Sequence, residues 1–210
     1  MKRFILTTAA LAITALSAPA TAQDAMDPLE AEGVRIWNML PRPSELARHP
    51  GAEGWYGYGV GDPRTVDVPE LPGGKAQRFT VKSAGKNAWD AGFQTQNQMK
   101  IGKGDVIFAA FWARADETPD GAATATIPVA LQMAEEPYTA FANTTAELGT
   151  QWELVTLYGT APQKFRKEAM VISLQGAGGK QVIDLGPVYL MNMGKGAVTA
   201  AQMPGARPAF

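Results

Sequence analysis

The chain has 210 residues, 46% of them hydrophobic and 19% charged, with 19 basic against 20 acidic side chains, one histidine and no cysteine. A formal charge of −1, with basic residues scattered rather than gathered into a run or an aromatic-interleaved patch, excludes a nucleic-acid binder, whose surface must follow a polyanion. The lack of cysteine excludes disulfides, so an ordinary apolar core must hold the fold, and the length suits one domain of usual size.

Met1-Lys2-Arg3, the apolar run Phe4 to Leu16 and the small-x-small triplet Ala20-Thr21-Ala22 read as a secretory signal peptide over residues 1–22, cleaved near Gln23. The run is short for a membrane span, and no later segment approaches the roughly 20 apolar residues that a spanning helix requires. The expected product is a soluble protein of the periplasm or the exterior, and losing Lys2 and Arg3 with the signal takes its formal charge from −1 to −3.

Residues 23–72 are expected to form a lead-in packed on the domain. Pro28, Pro41, Pro43 and Pro50 interrupt it, leaving only Leu29 to Leu40 able to hold a short helix or strand. Within it, Gly51 to Gly61 reads GAEGWYGYGVG, where glycines alternate with Trp55, Tyr56 and Tyr58. That composition suits tight turns that either present the rings or pack them at the edge of a sandwich.

Ala76 to Val81, opened by Gly73-Gly74, is the first clear strand. The stretch Asn87 to Ala115, NAWDAGFQTQNQMKIGKGDVIFAAFWARA, supplies two more, joined by a polar turn. In the first, Trp89, Ala91, Phe93 and Thr95 fall on the core face, while Asp90, Gly92, Gln94 and Gln96 take the other. In the second, Ile107, Ala109, Phe111, Ala113 and Ala115 form the inward row, and Phe108, Ala110, Trp112 and Arg114 the outward one. Ala125 to Ala134 points Ile127, Val129, Leu131 and Met133 inward and Gln132 outward. Pro137-Tyr138 breaks the pattern before the short extended stretch Thr139 to Ala146, and Thr150 to Tyr158 points Trp152, Val155 and Leu157 inward. Glu168 to Gln175 has Met170, Ile172 and Leu174 inward, with Val171, Ser173 and Gln175 outward. Gln181 to Met191 is the last strand, and the tail, residues 195–210, is expected to lack structure. Strands of this length, spaced by turn signals and without a long helical period, predict an all-β antiparallel β-sandwich, of which the jelly roll is the commonest form.

The chain is poor in catalytic parts. His49 is its only histidine, and Ser44, Ser83 and Ser173, the serines after the signal, lack a Gly-flanked elbow. Zinc and transition-metal sites fail for want of His and Cys ligands, and no cofactor is expected. Asp90, Asp116, Glu117, Glu135, Glu136 and Asp184 are the acids near the sheet from which a glycosidase pair would have to come. The remaining outward set is Gln94, Gln96, Gln132 and Gln175 with Trp112, Arg114 and Tyr138, a mixture that suits a sugar. A pyranose offers an apolar C–H face to a ring and a rim of hydroxyls to amides and a guanidinium. Covering about 60 Å² of that face contributes about 1.5 kcal/mol at about 25 cal/mol per Å², so several contacts give modest affinity.

NAWDAGFQTQ, IGKGDVIFAAFWARA, VALQMAEEPYTAF, LGTQWELVTLYGTA and VIDLGPVYLMNMG, in that order over about Gly73 to Gly194, resemble the successive strands of the carbohydrate-binding modules of families four and nine, related to family twenty-two. The resemblance implies a jelly roll over residues 73–194 that binds β-glucans, xylans or related polysaccharides without catalysis, in a cleft lined by aromatic and amide side chains. It marks Trp89, Gln94, Trp112, Arg114, Gln132 and Tyr138, and Trp112, Arg114, Gln94, Gln96 and Gln132 are expected to converge on one groove. Many such modules hold a structural calcium with an Asp-Asp-Val-like final strand, where this chain has Gly186-Pro187-Val188 with Asp184 offset from it. The expected function is an exported, non-catalytic glycan-binding protein. A cell-envelope scaffold whose outer face meets a protein partner and a small glycosidase or lyase are the alternatives.

Overall fold

The computed structural model describes residues 45–196; the expected signal peptide, the lead-in up to Ser44 and the tail from residue 197 lie outside the described residues. Eleven strands are described: β1 (Glu45–Gly51), β2 (Tyr56–Tyr58), β3 (Arg64–Asp67), β4 (Lys75–Val81), β5 (Gly92–Gln96), β6 (Asp105–Glu117), β7 (Ala125–Met133), β8 (Ala140–Leu148), β9 (Glu153–Thr160), β10 (Met170–Gln175) and β11 (Gln181–Lys195). They form two sheets. The first, sheet A, runs β3-β4-β11-β6-β9, with β1 also paired to β11, and the second, sheet B, runs β2-β5-β10-β7-β8. Every pairing is antiparallel, so the expected sandwich is the fold observed.

The core lies between the sheets and is built from the inward rows that alternation predicts. Ile107, Ala109, Phe111 and Ala113 of β6 meet Ile127, Val129 and Leu131 of β7, Met170, Ile172 and Leu174 of β10, and Ile183, Leu185, Val188 and Leu190 of β11 in one buried cluster. Trp55 joins it, with its ring edge-on to Phe111 at 5.5 Å and its indole N–H donated to the Gly186 carbonyl at 3.0 Å.

Four local expectations differ from the structure. β1, β2 and β3 are strands of the sheets, although they fall within the expected lead-in. β1 carries Pro50 near its end and pairs with β11 through two register shifts, the irregular edge geometry that tolerates proline. Trp89 is not on the core face: Ala88–Asp90 is a 3₁₀ turn, Trp89 is 61% exposed, and β5 begins only at Gly92. The Asp90 carboxylate closes that turn by accepting the backbone N–H groups of Lys86 at 2.8 Å and Asn87 at 3.0 Å, and the Asn87 bond above all holds its pKa below the ordinary aspartate value. Trp152, expected inward, precedes β9 and lies 4.7 Å from the Arg114 guanidinium.

The fourth difference decides where a site can be. β5 and β6 are consecutive in sequence but belong to different sheets. The intervening chain crosses the sandwich and is pinned by buried Asn97, whose amide donates to the carbonyls of Met99 and Arg166 and accepts the Met170 N–H. The outward rows of these two strands therefore face opposite sides of the molecule.

Candidate binding face

The outer face of sheet B can be read row by row from the ladder register. One row crosses all five strands as Tyr56, Gln94, Ser173, Ala130 and Asn143. On one side of it lies Gln96, Val171, Gln132 and Ala140, and on the other Tyr58, Gly92 and Gln175. With strands about 4.8 Å apart, five of them span about 19 Å, and rows two residues apart are separated by about 7 Å. These three rows contain no charged side chain.

Three polar side chains of the central row are linked. The Tyr56 hydroxyl donates to Gln94 Oε1 at 3.1 Å, and Gln94 Nε2 donates to Ser173 Oγ, also at 3.1 Å. Beside Ser173, the Tyr58 ring lies over Gly92 of β5. Ser173 is 2% exposed, so it forms the floor on which longer side chains are set. Gly92 is needed here because a Cβ would run into the Tyr58 ring and the Leu174 carbonyl; without one, the phenol can lie across β5. Burial raises the pKa of both phenols, so both rings are neutral through the physiological range.

Of the residues singled out from sequence, Gln94, Gln96 and Gln132 meet on this face. Tyr138 is 53% exposed in the turn between β7 and β8, at the end of the face where the Gln96–Gln132 row lies, and exposed Trp89 precedes Gly92 at the other end. Trp112 and Arg114 are not on it, which corrects the expected single groove. They project from the outer face of sheet A, where Trp112 is 4% exposed and packed with Val68 and Leu71 from the loop between β3 and β4. Arg114 Nε donates to Asp184 Oδ2 at 2.9 Å, and Arg78 grips the same buried carboxylate through Nε at 2.7 Å and Nη2 at 2.8 Å. Arg78 also meets Asp116 at 2.8 Å, and the Asp184 bond chiefly drives its pKa upward. Tyr56 and Tyr58 are the residues that sequence reasoning left undecided. The signal was the i, i+2 spacing, which in a strand puts both rings on one side.

Solved structures share this architecture. The second N-terminal cellulose-binding domain of Cellulomonas fimi β-1,4-glucanase C matches with a TM-score of 0.53 at 20% identity, over 73% of this chain and 97% of that one. The first such domain of the same enzyme matches at 0.52 and 21%, over 70% and 95%. The C-terminal family 22 carbohydrate-binding module of Clostridium thermocellum matches at 0.50 and 15%, over 73% and 96%. The chain has the jelly-roll fold of these carbohydrate-binding modules. No family model matches the sequence, and no curated protein matches it.

Within this module fold, four of the six acids considered for catalysis or calcium have other partners. Asp184 and Asp116 are held by arginines, Glu135 pairs with Arg166 at 2.8 Å, and Asp90 closes its own turn. Two guanidinium groups on Asp184 fill the position with positive charge, so a calcium ion does not fit there. Among the described residues, no three acidic or histidine side chains are grouped to hold a metal ion, and no helix is long and apolar enough to cross a membrane.

Proposed function

We propose that the protein is an exported, non-catalytic glycan-binding module, and that a neutral β-linked polysaccharide lies across the outer face of sheet B. The observation that carries this reading is the hydrogen-bonded Tyr56–Gln94–Ser173 chain, with Tyr58 laid over Gly92 beside it, in three rows of the sheet that hold no charged side chain. The tyrosine rings supply apolar surfaces for sugar C–H groups, while Gln94, Gln96, Gln132 and Gln175 supply amide donors and acceptors for hydroxyls. Because Tyr56 and Gln94 are held by hydrogen bonds running to Ser173, less of their side-chain freedom is lost on binding. Tyr138 and Trp89 extend the contact at the two ends. The fold likeness to domains named for cellulose binding supports the same class of ligand, and residues 1–22 support export.

The test is a calorimetric titration with a soluble β-1,4-glucan, a xylan and the polyanion polygalacturonate, alongside an assay for new reducing ends. The expected outcome is binding of at least one neutral chain, nearly unchanged between low and high salt because no ion pair contributes, with no reducing ends released. Preference for the polyanion, or steady release of reducing ends, would overturn the reading.

A further inference from the structure

A cavity of about 390 Å³ opens at one end of the sandwich, between the end of β7 and the loop that joins β9 to β10. That is the size range of small-ligand pockets. Its apolar lining is the covered part, with Phe165 2% exposed and Met133 and Ala169 half-buried. Its polar lining is open to solvent: Glu135 and Arg166 pair at 2.8 Å with side chains 73% and 75% exposed.

The loop that forms one wall is fixed at several points. Phe165 exchanges backbone hydrogen bonds with Ile101 and stacks on Phe141 of β8, with ring centroids 5.7 Å apart. Buried Asn97 donates its amide to the Arg166 carbonyl at 2.9 Å and accepts the Glu168 N–H on its backbone carbonyl, also at 2.9 Å. The Ala134 N–H on the Ala169 carbonyl at 3.0 Å ties the loop to the end of β7. Two residues flanking the cavity, Glu168 and Tyr138, have positive φ values of 66° and 52°. Side chains of this size rarely adopt that conformation and keep it where the surroundings fix them. Tyr138 closes its turn by donating its N–H to the Glu135 carbonyl at 2.9 Å, so the paired Glu135 sits on a set backbone.

Met133 follows Gln132 and pairs with Met170, one step beyond the Gln96–Val171–Gln132 row. The cavity therefore adjoins the outer face of sheet B. We propose that it is a separate subsite for a single sugar ring, an inference that rests on the reading of sheet B as the glycan-binding face. An exposed ion pair adds little to stability. Beside an apolar floor, however, a guanidinium fork and a carboxylate supply donors and an acceptor to neighbouring hydroxyls of one ring, while the floor takes its C–H face. The ring is the end of the bound chain or a branch on it, since both present the same chemistry.

The test uses Arg166→Ala, which removes the fork, and Ala169→Leu, which fills the floor, both in the full chain. Calorimetric titrations take the backbone that the parent binds in three forms: a linear hexasaccharide (cellohexaose or xylohexaose), the long linear polymer, and an oligosaccharide of that backbone carrying single-sugar branches. Each variant should weaken binding of at least one form by about tenfold, with the urea unfolding midpoint close to that of the parent. Loss with the hexasaccharide but not with the polymer, whose ends are rare, assigns the subsite to a chain end. Loss with the branched form alone assigns it to a branch. Parental affinity of both variants for all three forms, with Tyr56→Ala still weakened, would overturn the subsite and leave the sheet B face standing. Absence of glycan binding by the parent would overturn both.

Discussion

Asp184→Ala is expected to lower folding stability by about 3 kcal/mol or more, the range seen when one partner of a buried ion pair is removed. The carboxylate is 0% exposed and accepts three charge-assisted hydrogen bonds from Arg78 and Arg114. Removing it strands two guanidinium groups above β11. Their side chains are 21% and 23% exposed, and Asp116 remains for Arg78, so the loss belongs at the lower end of the range for fully enclosed pairs. Asp184→Asn keeps the shape and part of the hydrogen bonding, and should lose less. Urea unfolding of both variants measures this, and an unchanged midpoint for Asp184→Ala would show that the cluster does not hold β4, β6 and β11 together.

Phe111→Ala is expected to cost about 3–5 kcal/mol, since it deletes a large side chain from a site that cannot collapse. Phe111 is 0% exposed at the middle of β6, between Val188 and Val155 on the neighbouring strands, with Trp55 edge-on from the other direction. The loss is the transfer of the ring plus the cavity left behind. Asn143→Ala, on the exposed face of sheet B, should move the midpoint far less. Similar small shifts for both would mean that the inward row of β6 is misassigned.

Much of the fold is legible in the sequence because alternation is a local signal. The inward rows of β6, β7 and β10 follow from every second residue, and the run VIFAAFW in β6 signals more than that. An apolar residue at almost every position marks a strand buried on both faces, as β6 is, and on that ground Trp112 was a packing residue. Sheet membership is not local. The outward rows of β5 and β6 look equivalent in sequence, yet the crossing held by Asn97 sends them to opposite surfaces, and nothing in NQMKIGKG distinguishes a crossing from a hairpin. β1 was hidden by Pro50, and β2 by its three-residue length. The candidate site was therefore half legible. Its glutamines follow from alternation, whereas its tyrosines sit in a strand too short to show a pattern.

The most direct test of the central claim compares glycan affinity on the two outer faces, using variants first shown to be folded. On sheet B, Tyr56→Ala and Tyr58→Ala should each weaken binding of the preferred neutral polysaccharide by about tenfold, equivalent to about 1.4 kcal/mol, the size of one sugar-face contact. On sheet A, Trp112→Phe should bind it as tightly as the parent. Parental affinity in both tyrosine variants, or lost affinity in a folded Trp112→Phe, would contradict the account and move the binding site off sheet B.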